Sequence, residues 1–171
     1  IETAGTLADT MRLNLHIRTG HRVLYLLSAF EAENPDGLYA GFRKIAWEGL
    51  LHESGAHAYL CVTSTVETPT IKDGRFVNLK AKDAIVDRLA ECCGIRPDSG
   101  PARDRAVVHV YWKGSEVRVY LDASGEPLSR RGYRKIPLAA PMQETLAAAI
   151  ILATGWRGET SFVNPMCGSG T

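Results

Sequence analysis

The amino-acid sequence predicts a mixed α/β protein in which helices and strands succeed one another without the strict alternation of a doubly wound sheet. Three stretches carry this prediction. Val77, Ala81, Ala84, Ile85 and Leu89 recur at helical spacing, with Lys80, Lys82, Asp83, Asp87 and Arg88 off that stripe. Residues 106–112 and 116–122 alternate in period two on either side of Lys113-Gly114-Ser115, the pattern of a hairpin. Residues 161–171 run a short apolar strand into the glycine-rich turn Cys167-Gly168-Ser169-Gly170-Thr171, directly after a strongly apolar helical segment at 144–154. Ligands in open α/β sheets bind at the carboxyl ends of strands, so a strand that enters a small-residue turn is a place for a nucleotide-like cofactor. An ordinary loop has the same composition.

Taken in order, Thr6 can cap a helix whose apolar contacts, Leu7, Met11 and Ile17 with Leu13 or Leu15, continue to a stop at Gly20. Residues 21–32 are rich in strand formers and end at Asn34-Pro35-Asp36-Gly37, a turn by composition. With nothing before them, this helix and strand are expected to need further N-terminal elements to close a sheet. Leu38, Phe42, Ile45, Ala46 and Gly49 mark a second amphipathic helix, and residues 58–64 a strand. Pro69 and Lys72-Asp73-Gly74 make residues 65–78 a loop, after which the Val77 to Leu89 stripe runs to Cys92-Cys93-Gly94. Residues 97–101 form a loop before the hairpin. Val108, Val110 and Trp112 should share a face with Val117, Val119 and Leu121, and His109, Arg118 and Tyr120 the other. Residues 128–137 are basic and irregular, a linker broken by Gly132 and Pro137.

Composition narrows the classes. Of 171 residues, 45% are hydrophobic and 23% charged, with a net charge of +1, as in a globular protein with no global preference for nucleic acid. Cys61, Cys92, Cys93 and Cys167 show no C-x-x-C spacing, and His16, His21, His52, His57 and His109 are scattered. The expectation is a reduced, metal-free cytoplasmic protein. No apolar run is long enough to span a bilayer and no secretory leader opens the chain. A first residue of Ile1 and a last residue, Thr171, within a loop lead one to expect a piece of a longer protein.

Residues 80–89 (KAKDAIVDRL), 121–134 (LDASGEPLSRRGYR), 143–150 (QETLAAAI) and 164–171 (NPMCGSGT), in that order, resemble one known family. This is the THUMP-domain RNA methyltransferases, of the type of the bacterial large-subunit rRNA guanine-N2 methyltransferases, often labelled N6-adenine-specific DNA methylases. The resemblance implies four parts. Residues 1–34 would be the tail of a ferredoxin-like N-terminal domain, 35–125 a THUMP RNA-binding domain and 126–140 a basic linker. Residues 141–171 would begin a class I, Rossmann-like methyltransferase domain, contributing its first helix and strand.

The resemblance also implies S-adenosylmethionine as cofactor, held by Asn164, Pro165, Met166, Cys167, Gly168, Ser169, Gly170 and Thr171, and ribosomal RNA as partner. The family has Asp where this chain has Asn164. An amide still accepts a hydrogen bond but brings no charge, so the interaction with the cofactor's ammonium loses its charge assistance. The family's catalytic Asn/Asp-Pro-Pro-aromatic run does not occur in these residues, which are therefore expected to be inert alone. The alternatives are N6-adenine methylation of DNA or RNA, and a non-catalytic RNA-binding adaptor. Oligomeric state is not legible.

Particular side chains carry competing readings. Cys167 as a nucleophile lacks a neighbouring base in the sequence, and a place in the loop wall suits it better. Lys80 and Lys82 could contact phosphates or be the solvated face of their helix. Arg130, Arg131, Arg134 and Lys135, with Tyr133 interleaved, suit backbone phosphates and stacking on an unpaired base, or else dock the flanking parts. His109, Tyr111 and Tyr120 could stack on bases or fill a half-buried sheet.

Overall fold

The computed structural model describes residues 1–51, 59–69, 71, 73–132, 141–168 and 170–171. It divides into two compact units: residues 24–125, and residues 1–23 together with 126–171.

The 24–125 unit is a mixed α/β layer. Its strands are β1 (Leu24–Glu31), β2 (Tyr59–Glu67), β3 (Asp98–Ser99), β4 (Ala106–Lys113) and β5 (Glu116–Asp122), with helices α2 (Pro35–Arg43), α3 (Glu48–Leu51) and α4 (Gly74–Cys93). The sheet order is β1-β5-β4-β2-β3. β1 and β4 flank β5 antiparallel, whereas β4, β2 and β3 run parallel. A two-residue turn joins β4 to β5, but β2 and β4 point the same way and need a crossover, which α4 supplies. α4 thereby crosses the sheet face opposite its own polar side, and its stripe of Val77, Ala81, Ala84, Ile85 and Leu89 is buried there.

The hairpin takes the register the alternation predicts. Val108 pairs with Leu121, Val110 with Val119 and Trp112 with Val117, and His109 pairs with Tyr120 on the opposite face. Both buried indoles are satisfied: Trp112 Nε1 donates to the Ala32 carbonyl at 3.1 Å and Trp47 Nε1 to the Phe42 carbonyl at 2.8 Å. Phe42 stacks on Trp47 at 5.8 Å between centroids and meets the edge of Phe30 at 6.0 Å. Gly41 makes room for that ring, since a Cβ there would fall 2.1 Å from Phe30 Cε2.

Several expectations are corrected. The N-terminal strand needs no preceding element to enter a sheet, because β1 pairs along β5. Asn34-Pro35-Asp36-Gly37 opens a helix: the Asn34 side chain accepts from the Gly37 N–H at 2.8 Å, and Pro35 occupies the first turn, where its missing N–H costs nothing. The helix expected through Gly49 breaks at Lys44 into α2 and α3. β2 extends to Glu67 and α4 begins at Gly74 under an Asp73 cap, so the loop expected over 65–78 shrinks between them. The loop at 97–101 contains β3, paired with β2.

The polar side of α4 is not simply solvated. Tyr39 donates its hydroxyl to Asp87 at 2.7 Å, which raises the phenol's pKa. Arg88 grips Glu48 with two bonds, Nε to Oε2 at 2.9 Å and Nη2 to Oε1 at 2.6 Å, and donates Nη1 to the Arg43 carbonyl at 2.6 Å. Arg43 in turn pairs with Glu91. α2 and α3 thus lie against α4 through charged groups as well as through Leu38, Phe42 and Leu51.

In the other unit, α1 (Leu7–His16) starts at a capping box. Asp9 N–H donates to Thr6 Oγ1 at 3.3 Å, and Thr6 N–H donates to Asp9 Oδ2 at 2.8 Å. It ends at Ile17, short of Gly20. α5 (Glu144–Ala153) follows the basic stretch as predicted. Among the described residues no helix is long and apolar enough to cross a membrane.

The Arg88 guanidinium, with the Glu48 backbone N–H, lowers the Glu48 carboxyl from 4.5 to about 2. A depressed folded-state pKa contributes stability that is fully present above the unfolded value and is lost as pH falls through the folded one. The stability difference between the wild-type chain and Glu48→Gln in denaturant unfolding should be constant above pH 4.5 and shrink towards pH about 2. A difference that does not change across that window would rule out the pair as its source.

Candidate cofactor loop and basic surfaces

Residues 154–168 and 170–171 follow α5 as irregular chain. The short strand expected before the glycine turn is not formed: residues 161–164 carry no ladder, and Phe162 instead packs on Trp156 at 5.1 Å between centroids. A strand requires a partner for its backbone groups, and none of the five sheet strands pairs with this segment. Val163 and Met166 are exposed, as are Leu146, Ile150 and Leu152 of α5.

The loop itself is built from local bonds. Asn164 Oδ1 accepts from the Met166 N–H at 3.0 Å, closing a turn over Pro165. The Gly170 N–H donates to the Cys167 carbonyl at 2.9 Å. Gly168 and Gly170 lie at φ +55° and +74°, and among the described residues no atom beyond the chain neighbours stands within 4 Å of where a Cβ would be at either. Glycine is required there by the backbone's handedness, not by crowding, and the open space over both residues lets a ligand approach the main chain. Ser169 lies outside the described residues. Cys167 is exposed, its sulfur 3.8 Å from the Gly168 carbonyl oxygen, which is an acceptor and no base. Glycines in the left-handed region, unobstructed backbone and an amide at the entrance fit a nucleoside cofactor with ammonium and hydroxyl groups.

The basic stretch is described in part. Arg130 is exposed and lies 3.4 Å from Glu126. Arg131 N–H donates to the buried carboxylate of Glu144 at 2.9 Å, and its guanidinium donates to the carbonyl of Ile17, the C-terminal cap of α1. A cation at a helix C-terminus complements the helix dipole. Arg131 therefore ties α1 and α5 together within its unit. Tyr133, Arg134 and Lys135 lie outside the described residues.

On α4, Lys80 and Lys82 are separated by the helix. Lys80 Nζ lies 3.4 Å from Asp36 and 5.8 Å from the centre of the Tyr39 ring, on the side covered by α2. Lys82 pairs with Asp83 at 2.9 Å and lines a groove of about 490 Å³ with Arg75, Asn78 and Leu79 of α4, Thr63 of β2, and the Ser99 to Arg103 loop. Sequence reasoning missed Arg75, Asn78 and Arg103. With α4 known to start at Gly74, the spacing 75, 78, 79, 82 places the first two of these on one helix face; Arg103 carries no such signal. On the sheet face away from α4, His109 Nδ1 and Thr63 Oγ1 share a hydrogen bond at 2.9 Å, so the ring is held within the sheet. Among the described residues no cluster of His, Cys, Asp and Glu is suited to a metal.

Residues 131–171 match the RMKL-like methyltransferase domain family. Over 98% of its length the chain is similar to the ribosomal RNA large subunit methyltransferases K/L of Syntrophotalea carbinolica, at 38% identity, and of Magnetococcus marinus, at 37%. It spans about a quarter of the length of those relatives, 24% and 23%. Among solved structures, a predicted N6-adenine-specific DNA methylase from Listeria monocytogenes superposes with a TM-score of 0.82 at 31% identity, over 97% of this chain and 43% of that one. A candidate methyltransferase solved in complex with SAH gives 0.81 at 27% identity, over 97% and 43%.

The Asn164 turn gives a direct test of the loop. Asn164→Ala should speed hydrogen exchange at the Met166 amide, because that N–H loses its acceptor, whereas Asn164→Asp keeps the acceptor and the protection. Equal exchange in all three chains would show that the side chain does not hold the turn.

Proposed function

We propose that this chain, with residues 131–171 matching the RMKL-like methyltransferase domain and 98% of its length similar to rRNA large subunit methyltransferases K/L, is the RNA-binding front and first cofactor loop of an S-adenosylmethionine-dependent methyltransferase. Its substrate is 23S-type ribosomal RNA and its target the exocyclic N2 of guanine. Residues 35–125 act as the THUMP domain, residues 126–140 as a basic linker and residues 141–171 as the opening of the catalytic domain.

The observation that carries the reading is the loop at 164–171. It combines two left-handed glycines, open backbone and an Asn164 acceptor in the part of the chain that the family model matches. The SAH-bound relative supports S-adenosylmethionine as the ligand. The cofactor supplies an electrophilic methyl group. Asn164 and the loop backbone orient it, and the basic residues hold RNA so that the target amine approaches without a bimolecular search. Methylation of adenine N6 is the second reading, supported by the Listeria relative. The exocyclic amine chemistry is shared, so the base is decided by the pocket that receives it.

Two experiments test the proposal. The protein that carries this chain, given methyl-labelled S-adenosylmethionine and large-subunit rRNA, should yield labelled N2-methylguanosine on digestion. Label in N6-methyladenosine would transfer the assignment to the second reading, and no label in RNA would end both. The chain with Arg130→Ala, Arg131→Ala and Arg134→Ala should bind RNA with a shallower salt dependence, each phosphate left without its cation removing about 0.7 to 0.9 from the slope. An unchanged slope would assign these arginines to docking alone.

A further inference from the structure

The groove beside α4 is built wholly from the 24–125 unit and shares no residue with the loop at 164–171 or with the basic linker. Residues 60–63 of β2 line it, together with α4 and the chain that follows β3. β2 is paired along nearly its whole length on one side and for two residues on the other. β4 follows it from Leu60 to Glu67, whereas β3 meets only Tyr59 and Leu60. Among the described residues no other strand pairs with that second side.

The main-chain groups of successive residues in a strand point to opposite neighbours. The Gly100 N–H donates to the Leu60 carbonyl at 3.2 Å on the β3 side, and the Gly114 N–H donates to the Glu67 carbonyl at 3.1 Å on the β4 side. By that alternation the N–H and C=O of Val62 face outward, past the end of β3, and no hydrogen bond meets them there among the described residues. The open stretch is short, because at Ser64 the side chain already donates to the Gly74 carbonyl, at the start of α4, at 3.1 Å. An edge of this kind is a template for one more extended chain.

The lining sets the chemistry of that chain. Leu79, half exposed, and Pro101 give apolar surface, while Arg75, Lys82 and Arg103 bring positive charge, and no described carboxylate lines the groove. Asp73 holds Arg75 at 2.9 Å and Asp83 holds Lys82 at 2.9 Å, both as solvent-screened pairs, and Arg103 makes no ion pair among the described residues.

We propose that the groove takes an extended acidic segment of a partner protein, added as a strand to the outer edge of β2 beyond β3. The main chain of the segment bonds Val62. Its alternate side chains fall on the two faces of the sheet, apolar ones against Leu79 and acidic ones towards Arg103, with Arg75 and Lys82 adding charge. A nucleic-acid strand would satisfy the cations, but it carries no amide and carbonyl repeating at strand spacing to match the edge. The inference does not depend on RNA binding and gives the 24–125 unit a protein partner.

The probe is a fluorescein-labelled synthetic peptide of alternating glutamate and valine with blocked ends, titrated into the 171-residue chain over a range of salt. It should bind, and the same peptide with lysine for glutamate should not. Hydrogen exchange should show the Val62 amide gaining protection on peptide addition. Main-chain N-methylation confined to the valines or to the glutamates should be asymmetric: the set facing β2 loses about tenfold or more in affinity, and the other set little. Lys82→Ala with Arg103→Ala should weaken binding about tenfold and flatten its salt dependence. Arg12→Ala with Lys113→Ala removes the same charge outside the groove and should change neither. Circular dichroism and thermal melting check folding, and Arg103→Ala alone suffices should the double variant unfold. Absence of peptide binding overturns the proposal, as does binding with equal losses from both methylations and no protection of Val62. Protection of Val62 by a single-stranded RNA oligonucleotide and not by the peptide overturns it in favour of nucleic acid. The methyltransferase reading stands in every case.

Discussion

The 24–125 unit depends on the burial of one sheet face beneath α4 and α2. Val77, Ala81, Ala84, Ile85 and Leu89 lie against Val108, Val110, Trp112, Val117 and Val119, every one of them essentially inaccessible to water. At roughly 25 cal/mol for each Å² of apolar surface removed from water, burial of these side chains favours the folded chain. It also fixes geometry. A slip of one residue between β4 and β5 would turn Val110 and Trp112 out and His109 and Tyr111 in, so the core permits one register. Trp112, hydrogen-bonded to Ala32, ties that register to the end of β1.

Because α4 spends one stripe on the sheet, its remaining surface is shared between two tasks. Asp87 and Arg88 face α2 and α3 and are used up in holding them. Arg75, Asn78, Leu79 and Lys82 face the groove beside β2. Two lysines only two residues apart therefore stand in different surroundings: Lys80 beside Asp36 and the Tyr39 ring, Lys82 beside Asp83 at the groove. Helical rotation of about 100° per residue makes this division unavoidable, and charge composition alone conceals it.

The loop at residues 164–171 obeys a different logic. Its shape arises from bonds between near neighbours, Asn164 to Met166 and Cys167 to Gly170, and from two glycines at positive φ, so it takes a defined form without a strand beside it. The apolar residues Phe162, Val163 and Met166 around it remain exposed. Local bonds can specify a turn, whereas a strand needs a partner supplied by distant residues.

The same distinction separates what the sequence alone determined from what only the tertiary structure decided. The α4 stripe, the hairpin and its two faces, the Thr6 cap, the apolar α5 and the glycine loop were all legible, because each is set by a period of 2 or about 3.6 or by a side chain bonding its own backbone. Residues that sit at two candidate positions were misread: Asn34-Pro35-Asp36-Gly37 suits a turn and a helix start equally, and packing of Leu38 and Phe42 against the core selects the helix. The partner of β1, the place of β3, the grip of Arg88 on Glu48, the ties of Arg131 to Ile17 and Glu144, and the gathering of Arg75, Asn78, Lys82 and Arg103 around one groove came only from the folded chain. Each joins residues far apart in sequence, and no local period or cap encodes which distant segment will arrive.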